Sequence, residues 1–203
     1  MYNNIVMFML KSVNINSYKE LNRFYRRLRL YKMLYYKDSF CLNKISNISD
    51  YDKLELNCVI EAFNIKDRKS RISYVYDSAC NYIDKKYVNE NICEFKNDRC
   101  LYQRYSNNKF NNGCCHDCKY LVGDDNKYCG AKCLGCKVYF CPFIRRRKIV
   151  GHMNDIKVIK YYYSLFQKII IKLDIFKERD VILDDLYNSS LIRILKIKIP
   201  KDV

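Results

Sequence analysis

CEFKNDRCLYQRYSNNKFNNGCCHDCKYLVGDDNKYCGAKCLGCKVYFC, residues 93–141, holds nine of the twelve cysteines in a chain of 203 residues. The spacings are Cys93-x6-Cys100, Cys114-Cys115-x2-Cys118 and Cys129-x3-Cys133-x2-Cys136-x4-Cys141. Two thiolates separated by two residues on a tight turn can reach one tetrahedral ion, the basis of C-x2-C steps in zinc and iron sites. Cys115/Cys118 and Cys133/Cys136 are two such steps with fourteen residues between them, close to the spacing of a four-cysteine zinc ribbon. The segment lacks a sustained apolar period, as expected where coordination replaces an oily core. It divides the chain into a helical part (1–90), a cysteine-rich metal-binding part (91–143) and a second helical part (144–203), expected to form one compact domain.

Composition narrows the function classes. The chain is 49% hydrophobic and 15% aromatic, enough for a packed core, and its five Gly and two Pro argue against a turn-dense β-sandwich. A formal charge of +16 favours anionic partners, nucleic acid or an acidic protein, although Lys, Asn, Ile and Tyr are also what an AT-rich genome over-supplies. The opening MYNNIVMFMLK has no basic residue before its apolar run and no small-residue cleavage site, so no export leader is expected. No stretch approaches the roughly 20 apolar residues of a membrane span. A cytoplasmic location is therefore expected. Thiols stay reduced there, which makes metal ligation the default for clustered cysteines.

Taken in order, residues 5–10 are an apolar run compatible with a strand or a helix lead-in. Ser17-Tyr18-Lys19-Glu20 has capping-box form, and Leu21, Phe24, Tyr25, Leu28, Tyr31, Leu34 and Tyr35 predict a helix over 18–36. Its opposite face carries Arg23, Arg26, Arg27, Arg29 and Lys32. Residues 38–50 read as a polar connection. Residues 51–66 fit both periods and lean helical. After the charged break KDRKSR, Ile72, Val75, Tyr76, Ala79, Tyr82, Ile83 and Tyr87 predict a helix to about 88, with Cys58 and Cys80 as small core residues. The run PFIRRRK sets Arg145, Arg146, Arg147 and Lys148 beside Phe143, a pattern suited to phosphate contact with base stacking. Asp155 is placed to cap a long helix whose buried side is Ile156, Ile159, Tyr163, Phe166, Ile170, Leu173 and Phe176. A shorter helix spans about 178–188, and the tail LIRILKIKI suits an edge strand or a last helical turn.

Nine sulfurs exceed one tetrahedral site and are one more than two sites need. Spacing pairs Cys115 and Cys118 with Cys133 and Cys136, leaving Cys93, Cys100, Cys129 and Cys141 as a second set and Cys114 spare. His116 ranks low as a substitute ligand and His152 lower. All-thiolate sites suit zinc or an iron–sulfur cluster equally. Cys129-x3-Cys133-x2-Cys136 also has the form used by radical S-adenosylmethionine enzymes. Here, however, Gly135 stands where that family usually has an aromatic, and only 67 residues follow where a barrel would be needed. With two His, no H-E-x-x-H, no G-x-S-x-G and no phosphate loop, no other catalytic constellation or small-molecule substrate is identified.

Gly113-Cys114-Cys115, Cys118-Lys119-Tyr120-Leu121, Cys129 and Cys136-Lys137-Val138-Tyr139 resemble the zinc- or iron-chelating cysteine-cluster proteins of the YkgJ-like, CxxCxxCC type. The Cys129–Cys136 spacing is shorter than in that type, its Arg-Pro is missing, and the first C-x-x-C follows the Cys pair instead of preceding it. The resemblance implies a chelating role and makes Cys133 the dispensable thiol, whereas the ribbon spacing makes it a ligand. The expectation is a mainly α protein, its helices packed around a central irregular cysteine-rich metal-binding module. Structural zinc is the expected cofactor, an iron–sulfur cluster with a redox or metal-handling role the alternative. The basic surface (Arg23, Arg26, Arg27 and Arg145–Lys148) is expected to meet nucleic acid.

Overall fold

The computed structural model describes residues 10–88, 91–94, 96, 100–105, 121–123, 128–129, 133–139, 141–147 and 152–197, without the side chains of 10, 88, 103, 121, 128, 129 and 142. The described residues are mainly helical, with two small two-stranded sheets. The apolar run 5–10 falls outside them except for its last residue.

The chain enters as strand β1 (Leu10–Ile15), runs through helix α1 (Tyr18–Leu34) and returns as β2 (Ser39–Ile45) parallel to β1. Parallel strands need a crossover, and α1 supplies it. The ladder pairs Val13 with Leu42 and then Asn14 with Lys44, so Asn43 is an inserted residue. A strand here corrects the reading of 38–50 as a polar connection. Its apolar residues are interrupted by Asn43 and Lys44, and only Phe40 is fully buried, too little for a period-2 signal. The outer edge of β2 is met by Asn64, whose amide accepts from Phe40 N and donates to Phe40 O, both at 2.8 Å.

Ser17 Oγ accepts from Glu20 N at 3.3 Å, and the Glu20 carboxylate accepts from Asn16 N at 2.6 Å, one residue before the expected capping-box position. α1 buries Leu21, Phe24, Tyr25 and Leu28, each worth about 1.5–3 kcal/mol by transfer of a large apolar side chain from water. Tyr31 and Tyr35 are partly covered, and Leu34, expected inside, is 55% exposed. α2 (Asp50–Asn64) and α3 (Arg68–Ile83) follow, capped by Ser49 and Asp67. Every stripe residue expected from Ile72 to Tyr87 is buried, as is Cys80, while Cys58 packs partly buried against the core. A π-helical turn (Asp84–Val88) ends this unit.

Beyond it lie α4 (Leu101–Tyr105), the two-residue strands β3 (Leu121–Val122) and β4 (Tyr128–Cys129), α5 (Leu134–Lys137) and α6 (Pro142–Arg147). The helix expected from Asp155 to Phe176 is two helices, α7 (Lys157–Tyr162) and α8 (Leu165–Leu173). Tyr163 is extended, and Ser164 starts α8 with a full capping box in which Ser164 Oγ accepts from Gln167 N and Gln167 Oε1 accepts from Ser164 N. S-x-x-Q at 164–167 was the available signal. The break turns Phe166 outward, 42% exposed against expectation, while Ile156, Ile159, Tyr163 and Ile170 are buried. α9 (Arg179–Tyr187) and α10 (Leu191–Lys196) follow, so the tail is helical as far as Lys196.

α7 packs on α2 and α3, α8 on α5, α9 and α10, and α9 on α3. Three consecutive tyrosines fasten this layer. Tyr161 stacks on Tyr25 of α1 at 5.6 Å and 7°, Tyr162 Oη donates to Val59 O of α2 at 2.8 Å, and Tyr163 Oη donates to Ile72 O of α3 at 2.9 Å.

Asp155 does not cap α7. Its carboxylate accepts from His152 N at 2.7 Å, and the residue preceding the helix is Ile156, which offers no cap. The exposed donor at Lys157 N is taken at 2.5 Å by Glu55 Oε1 from α2. Glu55 is buried, and burial pushes its pKa up to about 7 against the opposing hydrogen bond from Lys157 N and the charges of Lys157 and Lys86. A raised folded-state pKa contributes stability that is complete below the unfolded value and lost as pH rises through 7. Glu55→Gln keeps the acceptor without the charge. Its melting temperature should match the parent at pH 4 and exceed it at pH 8.5, by the equivalent of roughly 3 kcal/mol at one pKa unit per 1.36 kcal/mol. Equal melting temperatures at pH 8.5 would contradict this assignment.

Candidate metal-ligand segment and basic surfaces

Cys133-Leu134-Gly135-Cys136-Lys137 is anchored to the helical core on several sides. Leu134 N donates to Tyr76 Oη of α3 at 3.0 Å, and the buried Lys137 ammonium pairs with Asp84 at 2.5 Å. Gly135 presses its backbone on α8, where an added Cβ would lie 2.3 Å from Ile171 O. A side chain is excluded there by another backbone, the close approach that glycine permits.

The two sulfurs converge. Cys133 is fully buried. As a thiol it donates to Asp174 O at 3.4 Å. As a thiolate it instead accepts the Cys136 thiol proton and the backbone N–H groups of Cys136, Phe176 and Gly135, and its pKa falls to about 6, the Cys136 hydrogen bond outweighing burial. Phe176 N also lies 3.3 Å from Cys136 Sγ. Phe176 has φ 63°, a left-handed conformation that is strained for a bulky residue, so this N–H is aimed at a backbone cost. Nearby, burial pushes the Cys80 thiol well above its ordinary value, in spite of Lys137.

Cys93, Cys100 and Cys141 are linked by their surroundings. Leu101 N donates to Cys93 O at 2.8 Å, Cys100 and Cys141 each stand at the start of a helix, and those helices touch through Tyr102 and Phe143, centroids 5.2 Å apart. Cys114, Cys115, Cys118 and His116 lie outside the described residues, as does the side chain of Cys129; His152 is exposed. Among the described residues no three His, Cys, Asp or Glu side chains form a metal site. A donor set of thiolates, one already collecting backbone N–H groups, has the chemistry of a zinc or iron–sulfur ligand.

Both basic patches face solvent. Arg23, Arg26 and Arg27 are exposed on α1, and Arg145, Arg146 and Arg147 on α6; Lys148 lies outside the described residues. The aromatic beside the second patch is already engaged, because the Arg147 guanidinium sits 3.6 Å from the Phe143 ring centroid.

A third basic feature has no counterpart in the sequence reading. Lys32, Lys37, Lys66 and Arg71 line a hollow of about 460 Å³ walled by Tyr36, Phe63 and Tyr162. Lys32 Nζ donates to Tyr161 O at 2.8 Å and lies 4.4 Å from the Tyr162 ring centroid. Burial, then Arg71 and Arg29, lowers its pKa to about 8. Its members come from four separate stretches. Lys32 reads as one more charge on the α1 face and Arg71 as part of the break KDRKSR, so no local pattern joins them.

No family model, curated protein or solved structure matches this chain.

Gly135→Ala should lower stability by roughly 2–3 kcal/mol, because overpacking against backbone cannot be relieved by a rotamer change. Urea denaturation with a chelator present checks this, and an unchanged midpoint would show that Gly135 does not meet Ile171.

Proposed function

We propose that this chain is a cytoplasmic zinc-binding protein whose metal is structural, held in a cysteine-rich segment packed among helices, and whose basic surface engages nucleic acid. The observation that carries the metal reading is the Cys133–Cys136 turn, where several N–H donors converge on one sulfur. Donors in that arrangement orient and stabilise a charged thiolate, as the outer shell of a metal site does. It also favours Cys133 as a ligand, with Cys136, Cys115 and Cys118 completing one centre. Cys93, Cys100, Cys129 and Cys141 form the second, and Cys114 is spare. Bound zinc supplies a cross-link between sulfurs distant in sequence. The protein's own part is to present the Cys133–Cys136 turn in a fixed orientation through Tyr76, Asp84 and Ile171.

Protein prepared without oxygen and analysed for metals should carry stoichiometric zinc and no visible colour. Cys136→Ser should lower the zinc content, while Cys41→Ser, on β2 and outside the cluster, should not. Chelation should release the zinc and expose thiols to a disulfide reagent. Iron with broad visible absorbance, or metal-free protein with the cluster cysteines oxidised in pairs, would overturn the zinc reading.

A further inference from the structure

We propose that the hollow lined by Lys32, Lys66 and Arg71 is a nucleotide-binding site, which takes a phosphate among those cations and a base against Tyr36 and Tyr162. The inference deepens the nucleic-acid part of the function proposed above and is independent of the metal.

The first support is an excess of positive charge, only partly offset by the nearby Asp38 carboxylate, which acts on Lys66. Among the described residues, none of Lys32, Lys37, Lys66 and Arg71 pairs with a carboxylate; their polar contacts are to carbonyl oxygens. Lys32 meets Tyr161 O, Lys66 meets Asp38 O at 2.6 Å and Phe63 O at 3.3 Å, and Arg71 Nη1 meets Ile65 O at 3.0 Å. Those bonds fix where the cationic heads stand and leave most of their donors unused, since an ammonium has three and a guanidinium five. Burial beside a low-dielectric wall and, after it, repulsion from Arg71 and Arg29 disfavour the charge on half-buried Lys32, and a bound anion offsets both.

The second support is shape. A volume of about 460 Å³ lies within the usual range for small-ligand pockets, and it is more than a bare phosphate fills. Tyr36 stands at the rim with 61% of its surface exposed, and Tyr162 forms part of the wall, so flat aromatic faces and cations share one enclosure. That pairing suits a phosphate joined to a planar base. A second hollow of about 190 Å³ shares Arg71 and Tyr162 and continues past Arg68, Ser164 and Gln167. It offers a polar path for an adjoining sugar-phosphate. Arg23 of the α1 patch also lines a hollow, of about 390 Å³, but the Glu20 carboxylate shares that lining and would repel a phosphate. On the α6 patch the Phe143 ring is already covered by Arg147.

The test titrates the full chain with ADP, adenosine, inorganic pyrophosphate and a single-stranded oligoadenylate. ADP should bind about tenfold tighter than adenosine or pyrophosphate. Lys32→Gln and Arg71→Gln should each weaken ADP about tenfold, and exposed Lys37→Gln, with little bearing on folding, about threefold. Tyr36→Ala should weaken ADP about tenfold and leave pyrophosphate unchanged. Oligoadenylate displaced by ADP, and weakened by the same substitutions, identifies the nucleotide as a unit of a strand; ADP binding without such displacement identifies a free nucleotide. ADP affinity indifferent to Lys32→Gln, Arg71→Gln and Lys37→Gln, or pyrophosphate binding as tightly as ADP, overturns the proposal. Oligoadenylate binding weakened only by Arg145→Gln, Arg146→Gln and Arg147→Gln overturns the pocket and leaves the basic-surface reading standing. Binding of ADP with no oligonucleotide binding does the reverse.

Discussion

The interruption of one helix at Tyr163–Ser164 organises the C-terminal half of this fold. Had residues 157–173 run as one helix, Tyr161, Tyr162 and Tyr163 would have pointed along arcs about 100° apart and α8 would have continued the axis of α7. Extending Tyr163 and capping the next helix with Ser164 takes the Tyr163 side chain off the helical arc to α3, while Tyr161 and Tyr162, still on α7, address α1 and α2. The Ser164–Gln167 box takes up the N–H groups of Ser164 and Gln167, two of the donors that the break exposes. Each tyrosine hydroxyl or carbonyl then ends on a partner from another element. α8, redirected in this way, offers Ile171 O to Gly135.

That geometry joins the cysteine segment to the helical body. The Cys133–Cys136 turn is held by a hydroxyl from α3 and a carboxylate from the π-helical turn, its glycine lies close against the backbone of α8, and the N–H of a strained Phe176 is aimed between its sulfurs. The contacts are polar and specific in direction, in a region whose sequence has no apolar stripe to do the positioning. One C-x-x-C step is thus set by the protein before any ion is considered, while its expected partners at 115 and 118 lie outside the described residues.

How far the sequence could be read followed how locally each feature is encoded. α1 and α3 were legible because their apolar residues repeat at helical spacing over four turns, and Ser17 and Glu20 mark a start in the chemistry of their side chains. α2 was ambiguous by period and was settled by packing against α7. β2 was missed because Asn43 and Lys44 break its alternation, and its pairing with β1 is a contact between segments some thirty residues apart. Asp155 was credited with a cap that Glu55 supplies from another helix, a substitution no local motif encodes. The cysteine spacings identify a class of chemistry and do not choose between ligand sets. The basic hollow was illegible for the same reason as β2: its cations lie on α1, just after it, on the α2–α3 connection and on α3, and only folding brings them beside Tyr162.

The amide of Asn64 has a consequence for how molecules of this chain behave together. A small parallel sheet ordinarily leaves one flank able to recruit a further strand, a common beginning of unwanted self-association. At Phe40 both main-chain groups on that flank are already occupied by a side chain fixed at the end of α2. An incoming strand would have to evict an intramolecular partner that costs no second molecule to bring into place. A single asparagine thus serves as a stopper on the β2 flank of the sheet at Phe40.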